Sequence, residues 1–462
     1  IGSMRRRESD STDARHRRRF LQLLGALGVT GLAGCGGDDG GTETEEPTDT
    51  PGDGMSTASP SPTPTSTPTP TQAPQEPEFV SLFDAESIED SYWHQINGTA
   101  TYEVRDGGVI TGISNSDSPN SFLSTYEMFD EFVLEFEAWV DPDGLNSGIQ
   151  IISNSSQTDQ HAHGPQVELE LSGDSAPQIP PGQSGYVYGE ALSTGWMSGG
   201  GSNPSAHDAF TNGEWNDFEI RVEGDRIQTF INDEQIEDLD LTQFDGVDHL
   251  LPMGFVALQV HSIGADGREV RWRNVRIKEL DVQEWERPFN GQNTDGWTKP
   301  LDAGDATVSD GELHLSGDDA FFLLTEASYD DFVFETWVNA DVKGGVLFRN
   351  PGAEQLSGYR AEIDPTGDAL SGSLRAADEQ DWLKSVEGED HAQMAYKPDG
   401  WNYLRVAAAG ENIRVWVNGI TTADLTDGAE SSGRIGLQHR GGDGTIRFRD
   451  LEVKPLEENV LN

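Results

Sequence analysis

The feature that most constrains this fold is an internal repeat. Asp106-Gly107 is answered by Asp310-Gly311, Phe122-Leu123 by Phe322-Leu323, and Phe129-Asp130-Glu131-Phe132 by Tyr329-Asp330-Asp331-Phe332. Trp215-Asn216 returns as Trp401-Asn402, Leu258-Gln259 as Leu437-Gln438, and Arg271-Trp272-Arg273-Asn274 as Arg447-Phe448-Arg449-Asp450. Matches that keep their order over roughly 180 residues mean one structural unit used twice in tandem. Within a unit the pattern is that of strands. Phe132, Leu134, Phe136, Ala138 and Val140 alternate with Glu131, Val133, Glu135, Glu137 and Trp139, which sets one face of a sheet on a core. Phe218 to Val222 and Ile413 to Val417 alternate likewise, Gly, Asn and Asp turns separate the runs, and no amphipathic helix stands out. The expectation is an all-β chain of two tandem antiparallel β-sandwiches, over 79–281 and 282–458.

The first 78 residues have a different composition. Arg17-Arg18-Arg19-Phe20-Leu21-Gln22 resembles a twin-arginine export motif, and the apolar run from Phe20 to Gly34 is too short to cross a bilayer. It ends in Leu32-Ala33-Gly34-Cys35, which resembles a lipobox whose cysteine thiol accepts the lipid. Met4 is read as the initiator. Residues 1–35 are therefore expected to be a lipoprotein signal, Cys35 the lipidation site, and the protein an extracellular one, anchored by lipid to the outer face of the cell membrane. Residues 36–78 are rich in Gly, Asp, Glu and Thr-Pro repeats, a composition that buries too little apolar surface to fold. They read as an extended linker, able to hold the sandwiches up to about 100 Å from the membrane.

Charge narrows the partners. The chain has 30 Lys plus Arg against 82 Asp plus Glu, a formal charge of −52. Such self-repulsion needs concentrated salt to screen it, so the surface is read as halophilic. The one cationic cluster lies in the export signal, which argues against nucleic-acid binding. With one cysteine in the chain no internal disulfide is possible, and stability must come from packing.

Taken together, Leu82-Phe83-Asp84, Gly108-Val109-Ile110, Asn146-Ser147-Gly148-Ile149, Gln166-Val167-Glu168, Tyr188-Gly189-Glu190, Leu258-Gln259-Val260-His261 and Arg273-Asn274-Val275 resemble the 3-keto-disaccharide hydrolase domain family. The resemblance spans Phe79 to Leu280 and, more loosely, Trp285 to Leu456. It implies a concanavalin A-like jelly roll in each copy and cleavage of a glycoside already oxidised to a ketone at sugar carbon 3. Similar proteins place an arginine a few residues after the Asn-Ser-Gly-Ile turn; Ile152 stands there in the first copy and Arg349 in the second. The ketone acidifies the hydrogen on carbon 2, so the reaction needs a base, a group to stabilise the enolate and an acid for the leaving group. It does not need the paired carboxylates of ordinary glycoside hydrolases.

Glu168 and Glu170 share one face of a strand, and either is a candidate base if that face is the concave one. Glu190 follows Gly185-Tyr186-Val187-Tyr188-Gly189, whose glycines let backbone approach a ligand, and His261 suits proton transfer. Gln166, Gln259, Tyr188 and Trp196 are candidate sugar-binding residues. His161 and His163, with Glu168, are a candidate divalent-metal set. Asp141-Pro142-Asp143-Gly144 reads better as a turn than as a calcium loop. In the second copy Ala377 falls opposite Glu190 and the histidine, His439, is displaced by one position, which turns it to the other face of its strand. The expectation is thus a catalytic first copy, with His207 in its inserted polar stretch, and a sugar-binding second copy. A non-catalytic carbohydrate-binding lipoprotein is the alternative reading. A glucanase is a third, since Glu362-Ile363-Asp364 starts such a motif, but Gly367 stands where its second glutamate belongs.

Overall fold

A computed structural model describes residues 77–155, 161–171, 183–199, 204–244, 253–282, 284–352, 357–366, 370–377 and 381–456, without the side chain of His207. The export motif, Cys35 and the linker lie outside the described residues. In the first copy, sheet I runs from edge to edge through Glu234–Asp240, Arg226–Ile231, Asn216–Glu223, Phe132–Val140, Glu269–Glu279, Val109–Ile113 and Thr101–Arg105. Sheet II runs through Gly195–Trp196, Val187–Glu190, Ala162–Leu169, Ser147–Ser155, Phe255–Val260, Ser121–Thr125 and Trp93–Asn97. Pairing within both is antiparallel. Phe132, Leu134, Phe136, Ala138 and Val140 of sheet I meet Leu123, Ile149, Val167, Leu169 and Leu258 of sheet II in one buried core, as the alternation requires.

The second copy repeats this order strand for strand. Sheet III goes from Ile420–Thr426 to Asp305–Ser309 and sheet IV from Trp382–Lys384 to Trp297–Thr298, around their own core. The repeat reaches individual backbone angles. Ile152 and Arg349 have φ of 41° and 49°, Asn232 and Asn418 both 49°, Asn274 and Asp450 53° and 50°. These left-handed residues sit at strand irregularities and hairpin turns in both copies, a shared strain that independent folds would not reproduce. Among the described residues two six-residue α-helices, Pro204–Ala209 and Asp390–Ala395, and a 3-10 turn at Leu241–Gln243 depart from the all-strand expectation. They are too short for a periodic sequence signal.

The left-handed position explains the arginine difference. Arg349 is fully buried and donates to the carbonyls of Asp330 at 3.0 and 3.1 Å, Gly410 at 2.8 Å and Glu430 at 3.2 Å, and to Asp331 Oδ1 at 3.1 Å. It ties three loops together and takes no part in the sheet face described below. In the first copy Ile152 fills this place with apolar packing.

The two sandwiches are packed against each other. Tyr126, Met128 and Met253 of the first share a buried cluster with Val333, Trp337, Tyr403, Ala407 and Trp416 of the second. The Tyr92 ring lies 4.5 Å from that of Trp337, tilted by 51°, Trp416 Nε1 donates to Asn154 Oδ1 at 2.9 Å, and Ile420 makes a parallel bridge to Ser155. At the centre, Arg405 donates to Glu335 Oε2 at 2.8 Å and to Asp130 Oδ1, across the interface, at 3.3 Å. Lys454 adds ion pairs to Asp130 at 3.4 Å and Asp281 at 3.1 Å. Burial raises Asp130 to about 6, with Arg405 opposing it.

Candidate active site

The strand Ala162–Leu169 sends Val167 and Leu169 into the core, so Gln166, Glu168 and, just past its end, Glu170 stand on the other face of sheet II. Glu190 lies on the neighbouring strand, yet its Oε1 accepts from Asn120 Nδ2 at 3.4 Å, just ahead of Ser121–Thr125. That strand is four places further across the sheet. Sheet II therefore curls, and the face bearing Glu168 is its hollow side. This settles the condition on which a catalytic role for Glu168 and Glu170 rested. Both are almost fully buried, so they are not solvated acids.

An amide chain fixes Glu168. Ser153 Oγ donates to Gln150 Oε1, Gln150 Nε2 to Gln166 Oε1, and Gln166 Nε2 to Glu168 Oε1, each at 2.7 Å. Room for it comes from Gly148, opposite Glu168 in the register, where a Cβ would lie 2.6 Å from the Gln166 side chain. Burial, with the charges of Glu170 and Glu190 behind it, holds the Glu168 carboxyl well above the usual range. Glu170 accepts from Asn146 Nδ2 at 2.9 Å, and burial raises it to about 8. With Oε1 committed to Gln166, the proton of Glu168 belongs on Oε2.

Glu190 and His161 close over the hollow, Nε2 to Oε1 at 2.7 Å, and the His161 ring sits edge-on to Phe122 at 5.5 Å. Burial lowers His261, against the pull of Glu190, so its imidazole is neutral at neutral pH. Three buried polar atoms of residues on this face make no hydrogen bond of normal geometry: Gln259 Nε2, His261 Nδ1 and Glu170 Oε2. Orphaned groups of this kind cost about 1–3 kcal/mol each and are the ones a ligand satisfies. At the rim, Tyr188 and Trp196 are half-buried and packed edge to face at 5.2 Å, with Tyr186 6.4 Å from Trp196. They are not core aromatics.

Glu168, Glu190, His261, Gln166 and Gln259 thus converge on one hollow with Tyr188 and Trp196 at its edge. The metal set does not assemble. His161 is engaged with Glu190 and lies edge-on to His163 at 6.4 Å, and among the described residues no three His, Cys, Asp or Glu side chains come together as ligands. Asp141 to Gly144 is a turn, with Asp143 N donating to Asp141 Oδ1 at 2.9 Å. Sequence reasoning missed Gln150, Asn146, Ser153 and Asn120. Gln150 carried a signal, since it follows Gly148 by two in a strand whose alternate residues are core. Two open hollows on sheet I, of 500 and 810 Å³, are lined by Arg105, Asp106 and Arg271 in the first and by surface ion pairs such as Arg276 with Glu135 in the second, and lack buried carboxylates.

The chain is a tandem of two antiparallel β-sandwiches, the first with buried carboxylates on the hollow face of one sheet. The family model of the 3-keto-alpha-glucoside-1,2-lyase-like domain matches residues 78–278 and again 284–454. The chain belongs to that family, and its function is carbohydrate-related. Among solved structures it is similar to the carbohydrate-binding module CBM66 of Bacillus subtilis, at 20% identity over 34% of this chain and 95% of that one, with a TM-score of 0.30. It is also similar to a candidate glycosyl hydrolase of Parabacteroides distasonis, at 20% identity over 37% of this chain and 99% of that one, again with a TM-score of 0.30. Comparison with curated proteins gave no match.

Proposed function

We propose that the first sandwich cleaves 3-keto-glycosides by elimination and hydration. The observation that carries this reading is the combination of buried, proton-holding carboxylates with orphaned donors in one hollow. Glu190, backed by the His161 imidazole, takes the hydrogen from carbon 2. Gln259 Nε2 and the neutral His261 donate to the ketone oxygen as it becomes an enolate oxygen. The enolate electrons form the bond between carbons 1 and 2 and expel the group on carbon 1, whose oxygen receives the proton of Glu168. Water then adds at carbon 1, losing a proton to Glu168, while carbon 2 is reprotonated by Glu190 after its carboxyl has exchanged with solvent. Glu168 is suited to the acid role because burial shifts its carboxyl toward the protonated form. Run in deuterium oxide, the reaction places deuterium on carbon 2 of the released 3-keto sugar; product with only hydrogen there excludes this mechanism.

The export signal and Cys35 support a protein anchored by lipid on the outer cell surface. A Cys35→Ser chain should be shed into the medium, and one retained on membranes as firmly as the wild type contradicts the anchor.

The raised carboxyl of Glu170 gives a pH prediction. Its folded value, about 8, lies above its ordinary 4.5, so between those values the folded state holds a proton that the unfolded state has lost. Its stabilising contribution is complete below about 4.5 and is lost as pH rises toward about 8. Unfolding curves of the wild type and Glu170→Gln at fixed salt should converge at low pH and separate as pH rises, with the variant losing less stability. Parallel curves would contradict this assignment.

A further inference from the structure

The hollow of the first sandwich is backed by the second. One row of residues runs across sheet II on its hollow face: Phe122 pairs with Gln259, and the register of Leu258 with Ile149 sets Gln259 beside Gly148, which pairs with Glu168. Phe122 is thus the cross-strand neighbour of Gln259 in the row that ends on Glu168. Its ring also lies edge-on to His161, the partner of Glu190. Yet Phe122 is no part of its own sandwich's core. With Ile96, Ala162, Phe255 and Ala257 it belongs to the buried cluster of the second sandwich, which contains Val417 and Ile420. Ala162, the residue after His161, is fully buried there.

One hairpin turn makes the approach. Asn418 and Gly419, with φ of 49° and 77°, join Asn412–Val417 to Ile420–Thr426 in a two-residue turn. A Cβ on Gly419 would lie 3.0 Å from the Thr125 carbonyl oxygen and 3.4 Å from Phe255 Cδ1, so the turn rests directly on sheet II. Ile420, the next residue, bridges Ser155, which pairs with Ala162, and Trp416 Nε1 reaches Asn154, which pairs with His163. The matching turn of the first copy is Asn232-Asp233, with φ of 49° and 68° and Asp233 exposed. An aspartate therefore fits the turn itself, whereas the close approach to sheet II calls for the glycine.

We propose that the second sandwich completes the active site of the first, its Gly419-Ile420 turn positioning His161, through Ala162 and Phe122, against Glu190. This rests on the reading of Glu190 as the base. Phe122, Gly419 and Ile420 act through His161 and are positioning residues. With the turn in place, His161 has buried neighbours on two sides, Ala162 along the chain and Phe122 across from it, and its Nε2 stays 2.7 Å from Glu190 Oε1. Loosening the turn lets the imidazole drift and takes the carboxylate off the line to carbon 2, a misplacement that lowers rate more than binding. It follows that the two sandwiches work as one catalytic unit.

The test uses the full chain at a salt concentration where circular dichroism shows it folded. Gly419→Asp brings in the residue of the first copy, which suits the turn and disturbs only the approach, and Ile420→Ala withdraws a buried side chain from the contact. Each should lower kcat on a 3-keto-disaccharide by about tenfold to a hundredfold, with KM moved by less than about twofold. His161→Ala should lower kcat at least as far, and adding Ile420→Ala to it should cause no further loss, since both changes break the same contact. Ile446→Val trims the second core four strands across sheet III from the turn, and should lower the melting temperature while leaving kcat unchanged. The ring protons of His161, identified by their absence in His161→Ala, give a readout that needs no substrate. Their NMR resonances should shift in Gly419→Asp and Ile420→Ala, as the Phe122 ring moves, and stay in place in Ile446→Val. Wild-type kcat in both turn variants, losses that multiply in the double variant, or an equal loss in Ile446→Val would overturn the proposal. A wild type that turns over no 3-keto-glycoside would instead overturn the reading of Glu190 as the base. In that case the His161 resonances decide the positioning by themselves, and resonances unmoved in both turn variants would overturn it as well.

Discussion

Glu168→Gln in the intact chain is expected to lower turnover of a 3-keto-disaccharide by about 10²- to 10⁴-fold, the usual cost of losing a general acid. Glutamine keeps the size of the side chain and accepts from Gln166, so the amide chain from Ser153 stays in place and KM should move little. The loss should therefore appear in kcat. For the wild type, activity is expected to fall as pH rises and Glu168 gives up its proton, at a higher pH than an ordinary carboxyl would, because burial and the neighbouring Glu170 and Glu190 raise it. Kinetics of the two proteins across pH check both statements. A variant with wild-type kcat would remove Glu168 from the chemistry.

The second large effect is on stability. Arg405 is buried between Asp130 of the first sandwich and Glu335 of the second. Arg405→Met leaves buried Glu335 without its cation and Asp130 with Lys454 alone, and should destabilise the fold by about 3–5 kcal/mol, the usual result of removing one partner of a buried ion pair. Much of that loss should be recovered in Arg405→Met with Asp130→Asn and Glu335→Gln, which removes the stranded charges. Denaturant curves at constant high salt measure both. A loss under about 1 kcal/mol, the range of an exposed pair, would show that the interface does not depend on this network.

Much of this fold was legible because period-two alternation survives in the first copy, where Glu135 and Glu137 face solvent between Phe132, Leu134 and Phe136. The packing of the two sandwiches was not read, although a trace of it exists. The corresponding strand Phe332–Ala340 is buried at every position, since its outward Val333 and Trp337 meet the first sandwich. A strand apolar or hydrogen-bonded on both faces signals a second contact, but Glu335 and Thr336 interrupt the apolar run within it.

The site residues Glu168, Glu190 and His261 were found through family resemblance. Their convergence depends on the curl of sheet II, which brings Glu190 to Asn120 and which no local pattern encodes. Arg349 shows the converse limit. A charged residue at a family position looks functional in sequence, whereas its left-handed backbone and its carbonyl partners make it a loop clamp.

The central claim is that the first sandwich acts on the ketone and not on glycosides in general. The most direct measurement is release of the leaving sugar from a 3-keto-disaccharide and from the same disaccharide unoxidised, with equal amounts of the intact protein. The acidity of the carbon 2 hydrogen comes from the ketone alone, so the oxidised sugar should be cleaved and the unoxidised one left intact. Equal cleavage of the two, or cleavage of neither, would contradict the account.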